Sequence, residues 1–275
     1  MPKKNLSSSG QIGPLSVGNV VSASLRIYRD HFKSYFGLAL VASLWLFVPI
    51  YGSAKYSAIL GLISRLAFGE VREKPETVSD ARRQVNPRMW SFLGAGILTF
   101  LIFFGVSLVG GIAMAILAGG AGAIFGQNYV IIGALVVVAV IAFLIIYIRI
   151  ISRLLIVELP LAIENNIGAT SAIGRSWELT KGSVGRIQWI VFVGILVSLP
   201  VTIVVQILSS IVESVLKAVL GAESGIFFLV YSILIVLLSF GSGALVTPFW
   251  QAMKAIIYYD LRSRKEGLGL QMRDR

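Results

Sequence analysis

Six charged residues at the ends of apolar segments are the first candidates for chemistry in this chain: Arg149, Arg153, Glu158, Glu164, Asp260 and Glu266. Arg149 and Arg153 are four residues apart, so in a helix they share one face. One interpretation is an ion-pair latch, in which either arginine binds one of the four acids and holds the helices at the membrane surface against the bundle. The other, more usual at the end of a span, is that both guanidinium groups extend to the lipid phosphates.

The residue inventory gives little support to catalysis. The chain has no Cys, a single His at position 31, and 13 scattered acidic residues. Hydrolysis of a phosphodiester needs paired carboxylates for a divalent ion together with a general acid and base. The glycine-rich stretch at 109–126 lacks the Lys-Ser/Thr ending of a phosphate-binding loop. We therefore expect no catalytic, cofactor-binding or metal-ligating residues, and no enzyme.

Composition indicates a protein that lies in a bilayer. Of the 275 residues, 56% are hydrophobic and only 13% are charged, and the mean hydropathy is +0.86. A soluble globule with this composition could not cover itself with polar side chains. The net charge of +11 is then first a topology signal, because Lys and Arg accumulate on the cytoplasmic side of membrane proteins. Nucleic acid is not an expected partner.

Apolar runs near 91–118, 129–157, 186–212 and 225–250 are each long enough for a helix to cross the ~30 Å hydrocarbon layer. The run at 36–68 is ambiguous because it contains Pro49, Gly52 and Lys55. Basic residues flank it on both sides, so it must cross an even number of times. It is either a pair of spans that turns at "PIYGSAK", with Lys55 at the outer surface, or a shallow re-entrant hairpin.

These features predict the fold class and the topology. The fold class is an all-α polytopic membrane bundle of six spans, or of four spans plus a re-entrant hairpin, with both termini in the cytoplasm. The connections at 119–128 and 213–224 are expected outside. The basic residues after Trp250 are expected to form a cytoplasmic tail that fixes the end of the last span.

A weak internal repeat divides the chain into three units at 15–68, 77–157 and 168–250, after a disordered polar leader at 1–14. Together with the basic tail they form one membrane domain over 15–270. Each unit begins with an amphipathic segment. Helical spacing places on one face Val17, Val21, Leu25, Tyr28 and Phe32 in the first segment, Val78, Ala81 and Val85 in the second, and Ile173, Trp177 and Val184 in the third. We expect these helices to lie along the membrane surface, with interfacial anchors at Tyr28, Trp90, Trp177, Arg262 and Arg264.

The segments "LPLAIENNIGATSAIGRSWELTKGSVGR" and "TPFWQAMKAIIYYDLRSRKEGLGL" resemble the membrane-domain family named after glycerophosphoryl diester phosphodiesterases. The strongest matches are Pro160, Glu164, Arg175-Ser176-Trp177, Leu179-Thr180-Lys181-Gly182, Tyr259, Asp260, Arg262, Arg264 and Glu266-Gly267-Leu268. The resemblance covers about Leu15 to Leu270 and departs from the pattern at Gly269, where an acidic residue is common in the family. It implies a shared six-span bacterial membrane fold. It implies no hydrolase, because the catalytic barrel of that family is a separate domain after the membrane part.

Two functions are compatible with these observations. The first is a non-enzymatic membrane scaffold or assembly factor with a basic cytoplasmic face, whose partners are membrane lipids, anionic ones among them, and a membrane protein. The alternative is a transporter or lipid-translocating protein, indicated by the hairpin repeat and by the Gly and Pro residues that interrupt spans. A bacterial plasma membrane is the expected location, and an internal membrane fits equally well.

Overall fold

The computed structural model describes residues 15–126 and 128–267, and within these ranges every element is a helix. The α-helices are α1 (Val17–Asp30), α2 (Phe32–Trp45), α3 (Tyr51–Val71), α4 (Val78–Val85), α5 (Met89–Phe125), α6 (Tyr129–Leu154), α7 (Glu158–Ile163), α8 (Ala169–Thr180), α9 (Val184–Leu220) and α10 (Gly225–Glu266). A single 3-10 turn at Asn86–Arg88, with Pro87 near its start, joins α4 to α5. The predicted leader at 1–14 and the end of the predicted domain at 268–270 lie outside the described residues.

Four helical segments are long and apolar enough to cross a membrane: Val78–Phe125, Tyr129–Ile163, Val184–Leu220 and Gly225–Glu266. The chain is therefore a membrane protein by length and composition of its helices. Two of the predicted loops are shorter than expected, because α5 continues to Phe125 and α9 to Leu220. The connections shrink to 126–128 and 221–224, where Gly126 and Gly221 take positive φ angles of 58° and 80°. The Gly and Ala residues that precede these two connections do not end a helix on their own.

The long helices form two hairpins, α5 with α6 and α9 with α10, which pack against each other through α6 and α9. We call the end with the two short connections the turn end, and the opposite end the packed end. Towards the turn end the hairpins expose large apolar side chains, among them Phe104, Ile116, Val130, Val138, Ile203, Ile211, Phe228 and Leu237. Such a surface suits lipid and is unfavourable in water.

The core lies at the packed end and is built on α3 and the second half of α10. Both elements are rich in fully buried side chains, including Leu62, Ile63, Met253, Ile257 and Tyr258. The residues after Trp250, predicted as a basic cytoplasmic tail, belong to this core as far as Glu266. Residues 251–266 continue α10 as helix, and α1, α2, α3 and α8 pack around it. The basic residues there lie on a helix whose other faces are apolar.

The α2–α3 hairpin turns at 46–50, just before the predicted position, so Lys55 lies inside α3. Ile50 supplies the sharp reversal with a φ of +60°. Gly52 is required by close approach and does not act as a helix breaker, because a Cβ there would lie 1.7 Å from the carbonyl oxygen of Trp45. At the turn, the ring of Phe47 meets the ring of Phe240 edge-on, with centroids 5.2 Å apart.

Each long hairpin, and the α2–α3 hairpin, is preceded by a shorter helix. In α4 the buried residues are Ala81 and Val85, and both belong to the face that the sequence predicts. In α1 the buried residues are Val20, Val21 and Ser24, while Leu25 and Phe32 of the predicted stripe are each 42% exposed. In α8 the buried face is Ala172, Ser176, Leu179 and Thr180. Helix α8 ends directly before Lys181 and Gly182.

The contact between α3 and α5 gives a first prediction. A methyl group at position 61 would lie 2.3 Å from the ring of Phe92, which is itself buried. We expect Gly61→Ala to destabilise the protein by about 1–3 kcal/mol, the usual cost of overpacking a core. The melting temperature of the purified protein in detergent should fall. Gly37→Ala on α2 is the matched control, since a Cβ there meets nothing within 4 Å. Equal melting temperatures for the two variants would show that the α3–α5 contact is not tight.

Candidate functional site

A stripe of polar side chains runs along the second half of α10. Lys254, Tyr258, Arg262 and Glu266 are spaced four residues apart, so they share one face of the helix. This face is directed at α7 and α8, which carry Glu158, Glu164 and Arg175. Because the first half of α10 is apolar throughout, the change of composition along one helix brings a charged layer to the packed end only. We call these seven residues, with Asp260 and Arg186, the polar network.

Glu164 is the centre of the network. Its Oε1 atom accepts hydrogen bonds from the Tyr258 hydroxyl and from Nε of Arg175 at 3.1 Å. Nη1 of Arg262 lies 3.9 Å away. Glu164 can be reached in this way because it follows α7 in extended conformation. One carboxylate therefore joins the α7–α8 connection to α10.

Glu266 closes this part of the network. It accepts from both Arg175 and Arg262, the latter at 2.7 Å. Two arginines and two glutamates thus balance one another in a partly buried position. Burial alone would lower the pKa of Arg175, but its hydrogen bonds and ion pairs with Glu164 and Glu266 outweigh burial and raise that pKa above its ordinary value. The group acts as a permanently charged clamp between α8 and α10.

Asp260 lies on the neighbouring face of α10 and is the most buried acid of the network, with a side chain only 1% exposed. It forms ion pairs with Arg186 of α9 and, at 3.1 Å, with Arg264. It also accepts from the backbone N–H of Leu15 at 3.0 Å. Arg186 donates to the carbonyl oxygen of Leu15 at 3.3 Å. A single carboxylate therefore holds α9, α10 and the start of the described chain together.

Glu158 occupies a third position, at the start of α7. Its Oε1 atom accepts from Nζ of Lys254 at 3.1 Å. The Ser64 hydroxyl lies 3.1 Å from the same oxygen and 3.0 Å from the side-chain oxygen of Gln251, so it donates to one of the two. The Glu158–Lys254 ion pair and the Ser64 hydroxyl together link α3, α7 and α10.

Two arginines that sequence reasoning missed bind the last carbonyls of α7. Arg65 donates to the carbonyl oxygen of Ala162 at 2.7 Å and also to Glu76. Arg88 donates to the carbonyl oxygen of Leu161 at 3.1 Å. The final carbonyls of a helix have no partner within the helix, and cations are favourable beside them. The sequence contained no local indication of this, since 73 residues separate Arg88 from Leu161.

The predicted latch and the observed ion pairs contain the same acids, but the cations that pair with them are different residues. Glu158, Glu164, Asp260 and Glu266 all lie in ion pairs at the packed end. Among the described residues, however, neither Arg149 nor Arg153 pairs with any of them. Arg149 is exposed. Arg153 donates to the carbonyl oxygen of Trp177 at 2.8 Å, and its guanidinium lies 4.9 Å from the ring centroid of the same residue. Helix α6 ends at Leu154, so Glu158 does not follow Arg153 on a common face.

The predicted interfacial anchors divide into two groups. Trp90 and Trp177 are 52% and 46% exposed, which leaves their rings available to a membrane surface. Arg262 and Arg264 are turned inward, with side chains 18% and 27% exposed and in ion pairs with the acids of α10. Tyr28 is half-buried, and burial raises its pKa to about 12. Its hydroxyl has no hydrogen-bond partner within the described part of the chain.

The arrangement clamps helices together through neutralised charge pairs. No group of three or more His, Asp or Glu side chains close enough to hold a metal ion occurs within residues 15–126 and 128–267. The four carboxylates are instead distributed among separate cations. Comparisons with known proteins found no matching family model, no matching curated protein and no matching solved structure.

The buried position of Asp260 gives a second prediction. Asp260→Asn removes the counter-charge of Arg186 while it keeps the size of the side chain, and breaking a buried pair on one side costs about 3–5 kcal/mol. We expect a large fall in melting temperature and in the amount of protein that accumulates in the membrane. Arg149→Gln is the matched control, because it also replaces one charge by an amide but at an exposed, unpaired position. An equal, small effect of both variants would contradict a structural role for the Asp260 pair.

Proposed function

We propose that this chain is a non-enzymatic integral membrane scaffold or assembly factor that presents a basic surface to the cytoplasm. The observation that supports it is the way charge is sorted at the packed end. The acids Glu76, Glu158, Glu164, Asp260 and Glu266 are held in pairs with arginine or lysine. Five exposed cations on or beside the short helices have no ion-pair partner within the described residues, and they outnumber the exposed acids Asp30, Asp80 and Glu178 of α1, α4 and α8, so a net positive surface results.

This basic surface consists of Arg26, Lys33, Arg82, Arg83 and Lys181, all exposed and none in an ion pair within the described ranges. They lie on or directly after α1, α4 and α8 and at the start of α2, at the same end of the long helices. Each Lys or Arg near an anionic membrane surface contributes about 1 kcal/mol of attraction. The exposed rings of Trp90 and Trp177 add the aromatic groups that favour the headgroup layer. The surface therefore suits anionic lipid headgroups and an acidic segment of a membrane protein partner.

We propose a topology of four spans plus a re-entrant hairpin, with the packed end in the cytoplasm. Helix α2 has 14 residues, about 21 Å, which is shorter than the ~30 Å hydrocarbon layer. The α2–α3 turn contacts α10 at Phe240, which lies 15 residues from the start of that helix at Gly225. The α2–α3 turn therefore lies about 22 Å from the turn end of the long helices. Exposed Leu46, Phe47, Val48 and Ile50 at the tip suit insertion into one leaflet.

The absence of cysteine makes this topology directly testable. We expect Lys55→Cys to be inaccessible to a membrane-impermeant thiol reagent added outside intact cells, because a re-entrant α3 never reaches the outer surface. Glu223→Cys, in the connection at the turn end, is the control that should react from outside. Reaction of both variants from outside would establish the alternative with six spans and would exclude the re-entrant hairpin.

The function is tested by affinity purification of a tagged copy from its native membranes in mild detergent, with co-purifying proteins and lipids identified by mass spectrometry. We expect a stoichiometric protein partner or a clear enrichment of anionic lipid. Both should decline in Arg82→Gln/Arg83→Gln, which weakens the basic surface without touching the core. Lys217→Gln, near the turn end, is the control and should leave recovery unchanged. The proposal would be contradicted if the tagged protein were recovered without a protein partner and without enriched anionic lipid, in the wild type as well as in the variants.

The transport alternative rests on one separate observation. Thr202, Gln206, Ser210 and Ser214 are spaced four apart and exposed along the part of α9 near the turn end. Gln206, Ser210 and Ser214 border a shallow open groove of about 400 Å³. The hydroxyls of Thr202, Ser210 and Ser214 donate to carbonyl oxygens one turn earlier in α9. The cost of the stripe in lipid therefore falls on the Gln206 amide, unless this side chain meets another polar helix or a solute path. Flux of a solute or lipid in reconstituted vesicles that Gln206→Leu abolishes would favour transport, whereas loss of a protein partner in that variant would favour the scaffold.

A further inference from the structure

A cleft opens at the packed end between α3, α5 and the α6–α7 connection. Its volume is about 240 Å³, below the ~300–1,000 Å³ of sites for drug-sized ligands. The walls are mostly apolar and include Leu60, Phe92, Ala95 and Leu155, with Gly96 and Thr99 on α5. The floor carries Glu158 and Lys254. A space of this size and lining suits a small charged group attached to an apolar body.

The ion pair at the floor leaves bonding capacity for a ligand. The Lys254 ammonium has three N–H donors, and within the described residues it donates only to Oε1 of Glu158. The second carboxylate oxygen of Glu158, Oε2, accepts no hydrogen bond from any described residue. The side chains of Glu158 and Lys254 are 21% and 18% exposed, respectively, so they are neither sealed in the core nor fully hydrated. A free donor and a free acceptor thus lie side by side at the bottom of an apolar cleft.

Depth along the helices places the cleft at the membrane boundary. Lys254 lies 29 residues after Gly225, and Gly96 lies 29 residues before Phe125. Both are therefore about 44 Å from the turn end. A bilayer is about 40–45 Å thick with its headgroups. In the proposed topology, with the turn end at the outer headgroups, the floor of the cleft is level with the headgroups at the packed end.

We propose that this cleft binds the phosphoethanolamine headgroup of a lipid in the cytoplasmic leaflet. The phosphate accepts hydrogen bonds from the free N–H groups of Lys254, and the primary ammonium donates to the free oxygen of Glu158. The glycerol and acyl chains leave along the apolar wall of α5. The site has no net charge, so it favours a headgroup that is also neutral overall. A choline headgroup has no N–H to donate and leaves the Glu158 oxygen without a partner.

The test uses the full chain, purified in detergent and incorporated into nanodiscs that contain phosphatidylethanolamine and phosphatidylcholine in equal amounts. Native mass spectrometry counts the lipids that stay bound after release from the disc. We expect phosphatidylethanolamine to be retained over phosphatidylcholine by about tenfold, the effect of one charge-assisted hydrogen bond. Equal retention of the two lipids would overturn the proposal.

Two variants separate the cleft from the rest of the lipid-facing surface. Gly96→Leu places a larger side chain at the wall of the cleft, at a position where a Cβ meets nothing within 4 Å. Gly105→Leu adds the same side chain to the same helix, also in open space but away from the cleft. We expect Gly96→Leu to lose the preference and Gly105→Leu to keep it, with both variants monodisperse. Equal preference in the two variants would show that the bound lipid lies elsewhere.

The chemistry of the floor is tested by Glu158→Gln. An amide keeps an oxygen acceptor but removes the charge, so we expect the preference for ethanolamine over choline to fall while some lipid still binds. An unchanged preference would exclude Glu158 as the ammonium site. Free phosphoethanolamine at millimolar concentration distinguishes the source of the ligand. Displacement of the lipid by the free compound means that the site recognises the headgroup alone, and lack of displacement means that the acyl chains are needed as well.

Discussion

The long helices are longer than the membrane is thick, and the rest of the structure follows from this mismatch. Helices α5 and α9 have 37 residues and α10 has 42, about 56 Å and 63 Å, against a hydrocarbon layer of ~30 Å. In the proposed topology the excess length emerges on one side of the bilayer, where bare apolar helix is unstable. The short helices α1, α4, α7 and α8, together with the α2–α3 hairpin, cover it. The core of the protein is therefore displaced from the membrane centre to the packed end.

The ion pairs serve the same requirement. Helices packed in lipid gain little from the hydrophobic effect and depend on close contact and hydrogen bonds, whereas at the packed end α10 must be fixed to several short helices by specific contacts. Glu164, Glu266 and Asp260 provide these contacts, each joining α10 to a different neighbour. Buried pairs specify an arrangement more than they stabilise it. A further effect is that the acids of the polar network, which are directed inward, leave an excess of cations on the outer surface of the short helices, where Asp30, Asp80 and Glu178 are the exposed acids.

The sequence predicts the four long helices and the short helix before each hairpin, because hydropathy and helical spacing are local properties. It offers an ion-pair latch between Arg149 or Arg153 and one of the four acids as one of two interpretations. It does not predict the partners of those acids. Arg175, Arg186 and Arg262 meet them only once α8, α9 and α10 are packed, while Arg149 and Arg153, nearest in sequence, end on the far side of a helix break. For a related reason the sequence does not predict that residues 251–266 continue α10. Their charges indicate solvent, yet they occupy only some faces of a helix that is otherwise buried.

The short α2–α3 hairpin contributes to both the core and the cleft, because α3 packs in the core and also lines the cleft. Helix α3 packs against α10 on one side and α5 on the other, so it keeps the two long hairpins apart at the packed end. Where α3 meets α5 it must do so through Gly61 and Phe92, with no room for even a methyl group. Ser57, one turn earlier on α3, and Leu60, next to Gly61, line the cleft and face α5 across open space. A helix that fits tightly at one level and diverges at the next creates a cleft at the membrane boundary, and the Glu158–Lys254 pair that ties α7 to α10 forms its floor.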